Sequence, residues 1–307
     1  NQNNLTSLSI QEVSKSVVGI HVIQNKINKK MAYNPWEKFW DNYPGERIIE
    51  NMGSGLILDR NGYVVTNYHV IENASKIFIK LYNGTSYDVS LDDIYIDKLT
   101  DIAVIKINAN ANLNIPIMGD SNRLIVGEDV IALGNPLGLF NASNKLTATK
   151  GIISAKNADF GFNEDYGSVY QDMIQTDASI NPGSSGGPLL NLNGEIIGLN
   201  TFIITASNSQ TGSIGLNFAI PVNRVMEIYN DLKDNGSIDR QFNTGIKVRE
   251  IDDIIMRYLR LSSTDGVIII DIEDRSSGEK AGLQIGDIIL KVNDKKVNTW
   301  QDIKIII

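Results

Sequence analysis

The 307-residue chain has no cysteine, only two histidines and seven prolines, and no uninterrupted run of 18 apolar residues. Without cysteine there is no disulfide and no thiolate nucleophile, and the commonest structural zinc ligands are gone. Without a long apolar run, no segment reads as a membrane-spanning helix. The net charge of −8 comes with no basic stripe, which argues against nucleic acid as a partner. No Gly-x-x-x-x-Gly-Lys motif is present, so no nucleotide cofactor is expected. The shortage of histidine also helps, because any imidazole base must be His21 or His69.

What is present is a long series of short β-branched runs broken by Gly, Asn and Asp. Residues 16–23, 55–58, 63–66, 76–81, 102–107, 129–133 and 195–200 read as strands. Strands at this spacing, without long helical periods, suggest a sandwich or barrels. The pattern fits two small antiparallel barrels joined near residues 115–121. Asp59-Arg60-Asn61-Gly62 is a hairpin turn. One helix follows, with Pro221 in its first turn. Val222, Val225, Met226, Tyr229 and Leu232 recur at helical spacing, and Gly236 stops it. These divisions give residues 1–236 as one unit, a linker over 237–244, and a second unit over 245–307. In the second unit residues 266–272 and 288–292 read as strands and 275–283 as a short helix. It stops soon after Thr299-Trp300-Gln301-Asp302, where another helix begins, so it is expected to be incomplete.

The most informative stretch is Asn181-Pro182-Gly183-Ser184-Ser185-Gly186-Gly187-Pro188-Leu189-Leu190. A serine among glycines, between apolar runs, can present its hydroxyl to solvent beside backbone N–H groups aimed at one point. Serine acyl transfer needs both a nucleophile and preorganised oxyanion donors. His69 ends the strand Tyr63-Val64-Val65-Thr66-Asn67 and has serine and carboxylate partners downstream. His21 sits inside the first strand and reads as an ordinary strand residue. The third partner must be a carboxylate that can be buried against the imidazole. Asp101 heads the apolar strand Ile102-Ala103-Val104-Ile105-Lys106-Ile107 and is favoured. Asp97, four residues earlier, is the competitor and reads as a solvated turn acid.

The order His69, Asp101, Ser185 on two barrels resembles the chymotrypsin-fold serine proteases. Within that fold, Thr66-Asn67-Tyr68-His69-Val70, Asp101-Ile102-Ala103-Val104 and Gln175-Thr176-Asp177-Ala178-Ser179-Ile180-Asn181-Pro182-Gly183-Ser184-Ser185-Gly186-Gly187 resemble the bacterial HtrA family. Gly53-Ser54-Gly55 and Gly134-Asn135-Pro136 fit as well. The tail, with Ala281-Gly282-Leu283-Gln284-Ile285-Gly286-Asp287, looks like a single PDZ domain. The fold expected is therefore mainly β, a chymotrypsin-like double barrel followed by a truncated PDZ domain. Ser184 departs from the family, which commonly has Asn there.

The resemblance implies an ATP-independent serine endopeptidase acting on unfolded or damaged exported proteins, with no metal or other cofactor. His69 would take the Ser185 proton, and the N–H groups of Gly183 and Ser185, helped by Ser184, would hold the oxyanion. In trypsin-like relatives an acid six residues before the nucleophile selects Lys or Arg. Here that residue is Ser179, followed by Ile180, so a pocket completed by Thr201 and Phe202 is expected to take Val, Ala or Leu. Ser184 cannot form the charge pair by which a freed N-terminus activates those relatives, so ordering of loops 159–171, 181–184 and 200–213 is the expected switch. Tyr258-Leu259-Arg260-Leu261 resembles a PDZ carboxylate-binding loop for C-terminal peptides. Trp36, Phe39, Trp40 and Tyr43 share one helical face, suited either to their own barrel or to a subunit contact. The resemblance implies a homotrimer outside the cytoplasm, in the periplasm or at the cell surface, with a signal peptide or membrane anchor preceding Asn1. The competing reading is a peptide-sensing, chaperone-like scaffold whose protease unit rests inactive.

Overall fold

The structure is a computed structural model that describes residues 4–26, 47–109, 112–135, 146–163, 167–203, 213–238 and 244–306. The aromatic segment with Trp36, Phe39, Trp40 and Tyr43, and most of loop 200–213, lie outside the described residues. A helix α1 (Leu5–Val13) leads into the first sheet. Its strands are β1 (Val17–Lys26), β2 (Arg47–Ile57), β3 (Tyr63–Asn67), β4 (Lys76–Lys80), β5 (Ser86–Val89), β6 (Ile94–Asp97) and β7 (Ile102–Lys106). They pair antiparallel in the order β5-β4-β1-β2-β3-β7-β6. Alternation puts Val18, Ile20, Val22, Ile57, Val64, Ile79, Ala103 and Ile105 into one apolar core. Between β3 and β7 in the chain, one turn of helix α2 (Tyr68–Ile71) carries His69.

The second sheet begins where the sequence divides. Its strands are β8 (Ile117–Met118), β9 (Asp129–Gly134), β10 (Thr147–Ala158), β13 (Met173–Thr176), β14 (Pro188–Asn191), β15 (Glu195–Ile203) and β16 (Asn217–Pro221). The order β14-β9-β10-β13-β16-β15 closes on itself through a further β14–β15 pairing, with β8 added parallel to β15. Closure removes the free edges. Val130, Ile153, Ile174, Ile180, Leu189, Ile197 and Ala219 fill the interior. A small hairpin, β11 (Gly161–Asn163) with β12 (Ser168–Tyr170), forms its own two-stranded sheet.

A third core lies in the seam between the sheets. Val17, Leu56, Val65, Ile102 and Val104 from the first meet Ile131, Leu133, Leu199, Phe218 and Ile220 from the second. Helix α3 (Val222–Asn235) lays Val222, Val225, Ile228, Tyr229 and Leu232 on this seam and ends at Gly236. Tyr229 and Lys233 of α3 also clasp Asp59 in the β2–β3 turn, each at 2.9 Å. Burial would push the Asp59 carboxyl up, but Lys233, the Tyr63 N–H, Tyr229 and Asn61 together hold it below the usual range.

The C-terminal unit pairs β17 (Ile246–Glu250), β18 (Val267–Ile272) and β19 (Ile288–Ile289), and then forms a ribbon of β20 (Lys291–Val292) and β21 (Lys295–Lys296). Three helices accompany it: α4 (Asp253–Leu259), α5 (Ser277–Lys280) and α6 (Trp300–Ile306). Val267, Val297 and Ile303 are its buried centre. Helix α6 lies beside β11 and β12, and Lys295 Nζ is 3.5 Å from Asp172 Oδ2 just past β12. Among the described residues no helix is long and apolar enough to cross a membrane.

Candidate active site

The site sits at the seam, where α2 and the start of β7 face the glycine-rich loop before β14. Asp101 directly precedes β7 in a left-handed conformation, φ +57°, and is fully buried. Its backbone is tied on both sides. Asp101 N–H donates to the Lys98 carbonyl at 3.2 Å, and its own carbonyl accepts from Tyr68 N–H at 3.0 Å. Asn67 Nδ2 adds a bond to the same carbonyl at 3.2 Å. The left-handed turn thereby aims the carboxylate back at α2, where Oδ1 accepts the His69 backbone N–H at 2.9 Å. Oδ2 lies 2.7 Å from His69 Nδ1 and accepts the Tyr170 hydroxyl at 3.1 Å.

One carboxylate therefore grips both the ring and the backbone of His69. The ring is partly exposed and the carboxylate is not. A buried anion on Nδ1 holds the proton there and leaves Nε2 as the basic nitrogen. Asp97 departs from the sequence expectation of a solvated acid. It ends β6 paired with Ile102, is buried, and accepts the Thr100 hydroxyl, so it braces the turn that carries Asp101. His21 lies on β1 beside Phe78, ring centroids 6.0 Å apart, in register with Met52.

The glycine-rich loop is held just as closely. Ser184 N–H donates to the Asn181 carbonyl at 2.8 Å. With Pro182 second and Gly183 third at φ +95°, this is a type II turn, whose third position needs positive φ. Ser184 is thus no free oxyanion donor, contrary to expectation, because its N–H closes the turn. Among the described residues the N–H groups of Gly183 and Ser185 have no hydrogen-bond acceptor. Those are the two donors that flank the Ser185 hydroxyl.

Ser54, from the Gly53-Ser54-Gly55 segment of β2, anchors this loop to the first sheet. Its N–H donates to the Ser185 carbonyl at 2.9 Å. Its hydroxyl donates to the Gly183 carbonyl at 2.7 Å and accepts Asn135 N–H at 2.8 Å. Gly186, at φ +82°, passes so close that a Cβ there would stand 2.1 Å from the Ser54 carbonyl oxygen. The Ser185 hydroxyl itself donates to the Thr201 carbonyl at 2.9 Å. Thr201 also accepts from Asn67 Nδ2 at 3.2 Å, so Asn67 and Thr201 tie the serine side of the site to Asp101.

The pocket residues are placed unequally. Ser179 is exposed, with its carbonyl accepting Thr149 Oγ1 at 2.7 Å. Ile180 is 1% exposed and belongs to the interior of the second barrel. The Thr201 hydroxyl turns to the Leu199 carbonyl at 2.9 Å. The side chain of Phe202 lies outside the described residues, although its backbone pairs with Phe218.

The segment Tyr258-Leu259-Arg260-Leu261 is not a loop. Tyr258 and Leu259 close α4, and Arg260 is its left-handed C-cap. The Arg260 and Leu261 N–H groups donate to Arg257 and Met256 carbonyls at 3.3 and 2.9 Å, so they are not offered to a peptide carboxylate. The helix signal was Asp252, whose carboxylate caps Ile254 and Ile255 N–H at 2.9 and 2.8 Å. One edge of this sheet is β17, entered through Thr244 and Gly245.

Comparison with known proteins accords with this geometry. The trypsin-like peptidase domain family matches residues 53–199, and the PDZ domain family matches residues 235–307. A Chlamydia muridarum protein named "Probable periplasmic serine endoprotease DegP-like" is 42% identical over 247 residues, 80% of this chain and 46% of that protein. A protein of the same name from Rickettsia prowazekii is 40% identical over 256 residues, 83% of this chain and 48% of that protein. The chain spans about half the length of the curated relatives it matches. The solved structure "HtrA-type protease AlgW with decapeptide" superposes with a TM-score of 0.70 at 30% identity, covering 97% of this chain and 89% of that one. "HtrA-type protease AlgW with tripeptide" gives 0.70 at 29%, covering 97% and 86%.

Proposed function

The chain belongs to the HtrA family of trypsin-like serine proteases that carry a PDZ domain, and from that premise we propose that it is an ATP-independent serine endopeptidase. Ser185 attacks the peptide carbonyl, and His69 takes its proton at Nε2 and later returns it to the leaving amine. Asp101 fixes the imidazole and stabilises the imidazolium. The Gly183 and Ser185 N–H groups receive the oxyanion. Water completes the second half-reaction. The observation that carries this reading is the buried Asp101 carboxylate 2.7 Å from His69 Nδ1.

The substrates on this reading are unfolded or damaged proteins outside the cytoplasm, as suits relatives named periplasmic endoproteases. With a serine at position 179 instead of an acid, side chains such as Val or Ala before the scissile bond fit better than Arg. The family's PDZ unit would take a C-terminal peptide as an added strand at β17, an edge of its sheet. Assembly as a trimer belongs to the same proposal, and sedimentation checks it. Degradation of unfolded casein tests the activity. The wild-type chain should cut it and Ser185→Ala should not, and equal cutting by both would remove Ser185 as the nucleophile.

One observation favours a second reading, a peptide-sensing scaffold whose protease rests inactive. The Ser185 hydroxyl lies 2.9 Å from the Thr201 carbonyl, an acceptor that competes with an imidazole for its proton. Peptide binding without casein cleavage by either variant would favour it.

A further inference from the structure

We propose that Tyr170 is a positioning residue for the triad, holding the Asp101 carboxylate through its hydroxyl; this rests on the protease reading above. Asp101 is fully buried, so each carboxylate oxygen needs a hydrogen-bond donor to be satisfied and oriented. Oδ1 has the His69 backbone N–H. Oδ2 has His69 Nδ1 and, at 3.1 Å, the Tyr170 hydroxyl. Among the described residues the tyrosine contributes the donor on this carboxylate that comes from outside His69 itself, and it comes from the β11–β12 hairpin.

Its placement is built. Tyr170 ends β12 and is 3% exposed within the seam core. The same strand grips the turn before Asp101 through two backbone carbonyls. Val169 N–H donates to Leu99 at 2.7 Å, and Ser168 Oγ donates to Lys98 at 2.7 Å. Strand β12 therefore carries three consecutive residues that all bind the 98–101 turn. The third of them reaches the carboxylate that orients the imidazole. With the hydroxyl removed, Oδ2 keeps the imidazole alone, the carboxylate gains freedom to swing about its Cβ–Cγ bond, and the Nδ1–H···Oδ2 contact must change.

Tyr170→Phe removes one oxygen and keeps the buried ring. The His69 Nδ1 proton, bound to a buried carboxylate, is read as a downfield resonance in the proton NMR spectrum of the full chain. The variant should shift that resonance, because Oδ2 loses its second donor and the carboxylate is free to swing. It should also lower kcat about tenfold per phosphonate-titrated site, the scale of one charge-assisted hydrogen bond, with KM unchanged within about twofold. An unmoved resonance overturns the proposal whatever happens to the rate, since a packing role alone would leave that proton where it is. The resonance is read in the resting protein. A wild-type chain that cleaves nothing would therefore sink the protease reading without touching this test.

Discussion

Asp101 Oδ2 stands 2.7 Å from His69 Nδ1 while Oδ1 of the same carboxylate takes the His69 backbone N–H at 2.9 Å. Ring and main chain of one residue are thus set by one buried group. Asp101→Asn keeps the shape but presents an amide N–H where an acceptor is required, either to the ring or to the main chain. The expected result is a loss of kcat of about a thousand- to ten-thousand-fold with the fold retained, checked by steady-state kinetics alongside near-UV circular dichroism.

Much of this site was legible in the sequence, and the parts that were not share a cause. His69, Asp101 and Ser185 stand out because each is a rare or polar residue at the boundary of an apolar strand. Helix α3 follows from its 3.6-residue period. Tyr170 gave no such signal: it is one apolar-looking residue in a short strand, and only the pairing of β12 with the 98–101 turn brings it to Asp101, 69 residues away in the chain. Ser54 is likewise a small residue in a glycine pair, and its role appears only where β2 meets the loop before β14. The burial of Asp97 leaves no mark in the sequence, because strand β6 is short and the cover comes from Thr100 and β7. Likeness to a family motif makes Tyr258–Leu261 a loop, whereas Asp252 followed by Ile254, Ile255, Tyr258 and Leu259 has a helical cap and spacing.

Ser54→Ala should unhook the glycine-rich loop. Its hydroxyl serves the Gly183 carbonyl and Asn135 N–H together, so two backbone groups, one buried and one half-buried, lose a partner. A stability loss of about 1–3 kcal/mol is expected in urea unfolding. kcat should fall at least about tenfold, because the freed Gly183–Ser184 peptide lies between the Gly183 and Ser185 N–H groups and loosens both.

Gly186→Ala tests the close approach of loop and sheet. A methyl would meet the Ser54 carbonyl oxygen at 2.1 Å and Thr66 Oγ1 at 2.2 Å, on a backbone at φ +82°. Calorimetry should show a lower melting temperature, corresponding to about 1–3 kcal/mol. Activity should be lost even at temperatures where the variant stays folded, since Ser185 is the adjacent residue.

Asp59 gives a pH-dependent prediction for stability. Its folded-state carboxyl lies below the ordinary carboxylate range, so it binds its proton less readily folded than unfolded. Its contribution is present above the unfolded value of about 4 and is lost as pH falls through the lower folded value. Asp59→Asn should therefore lower the melting temperature at pH 7, and the gap from wild type should close in strong acid.

Cleavage of matched peptides checks the reading of Ser179. Peptides with Val or Ala before the scissile bond should give a higher kcat/KM than the same peptides with Arg. A preference for Arg would place an acid in the pocket that residues 179 and 180 do not supply.

The central claim is that Ser185 is a nucleophile activated at this seam, and covalent capture tests it most directly. The wild-type chain is treated with a peptidyl phosphonate bearing Val at the reactive position, and the adduct is located by mass spectrometry. One phosphonyl group per chain, on Ser185, absent from Ser185→Ala and strongly slowed in Asp101→Asn, is the predicted result. Labelling at another residue, or equal labelling of Ser185→Ala, would contradict it.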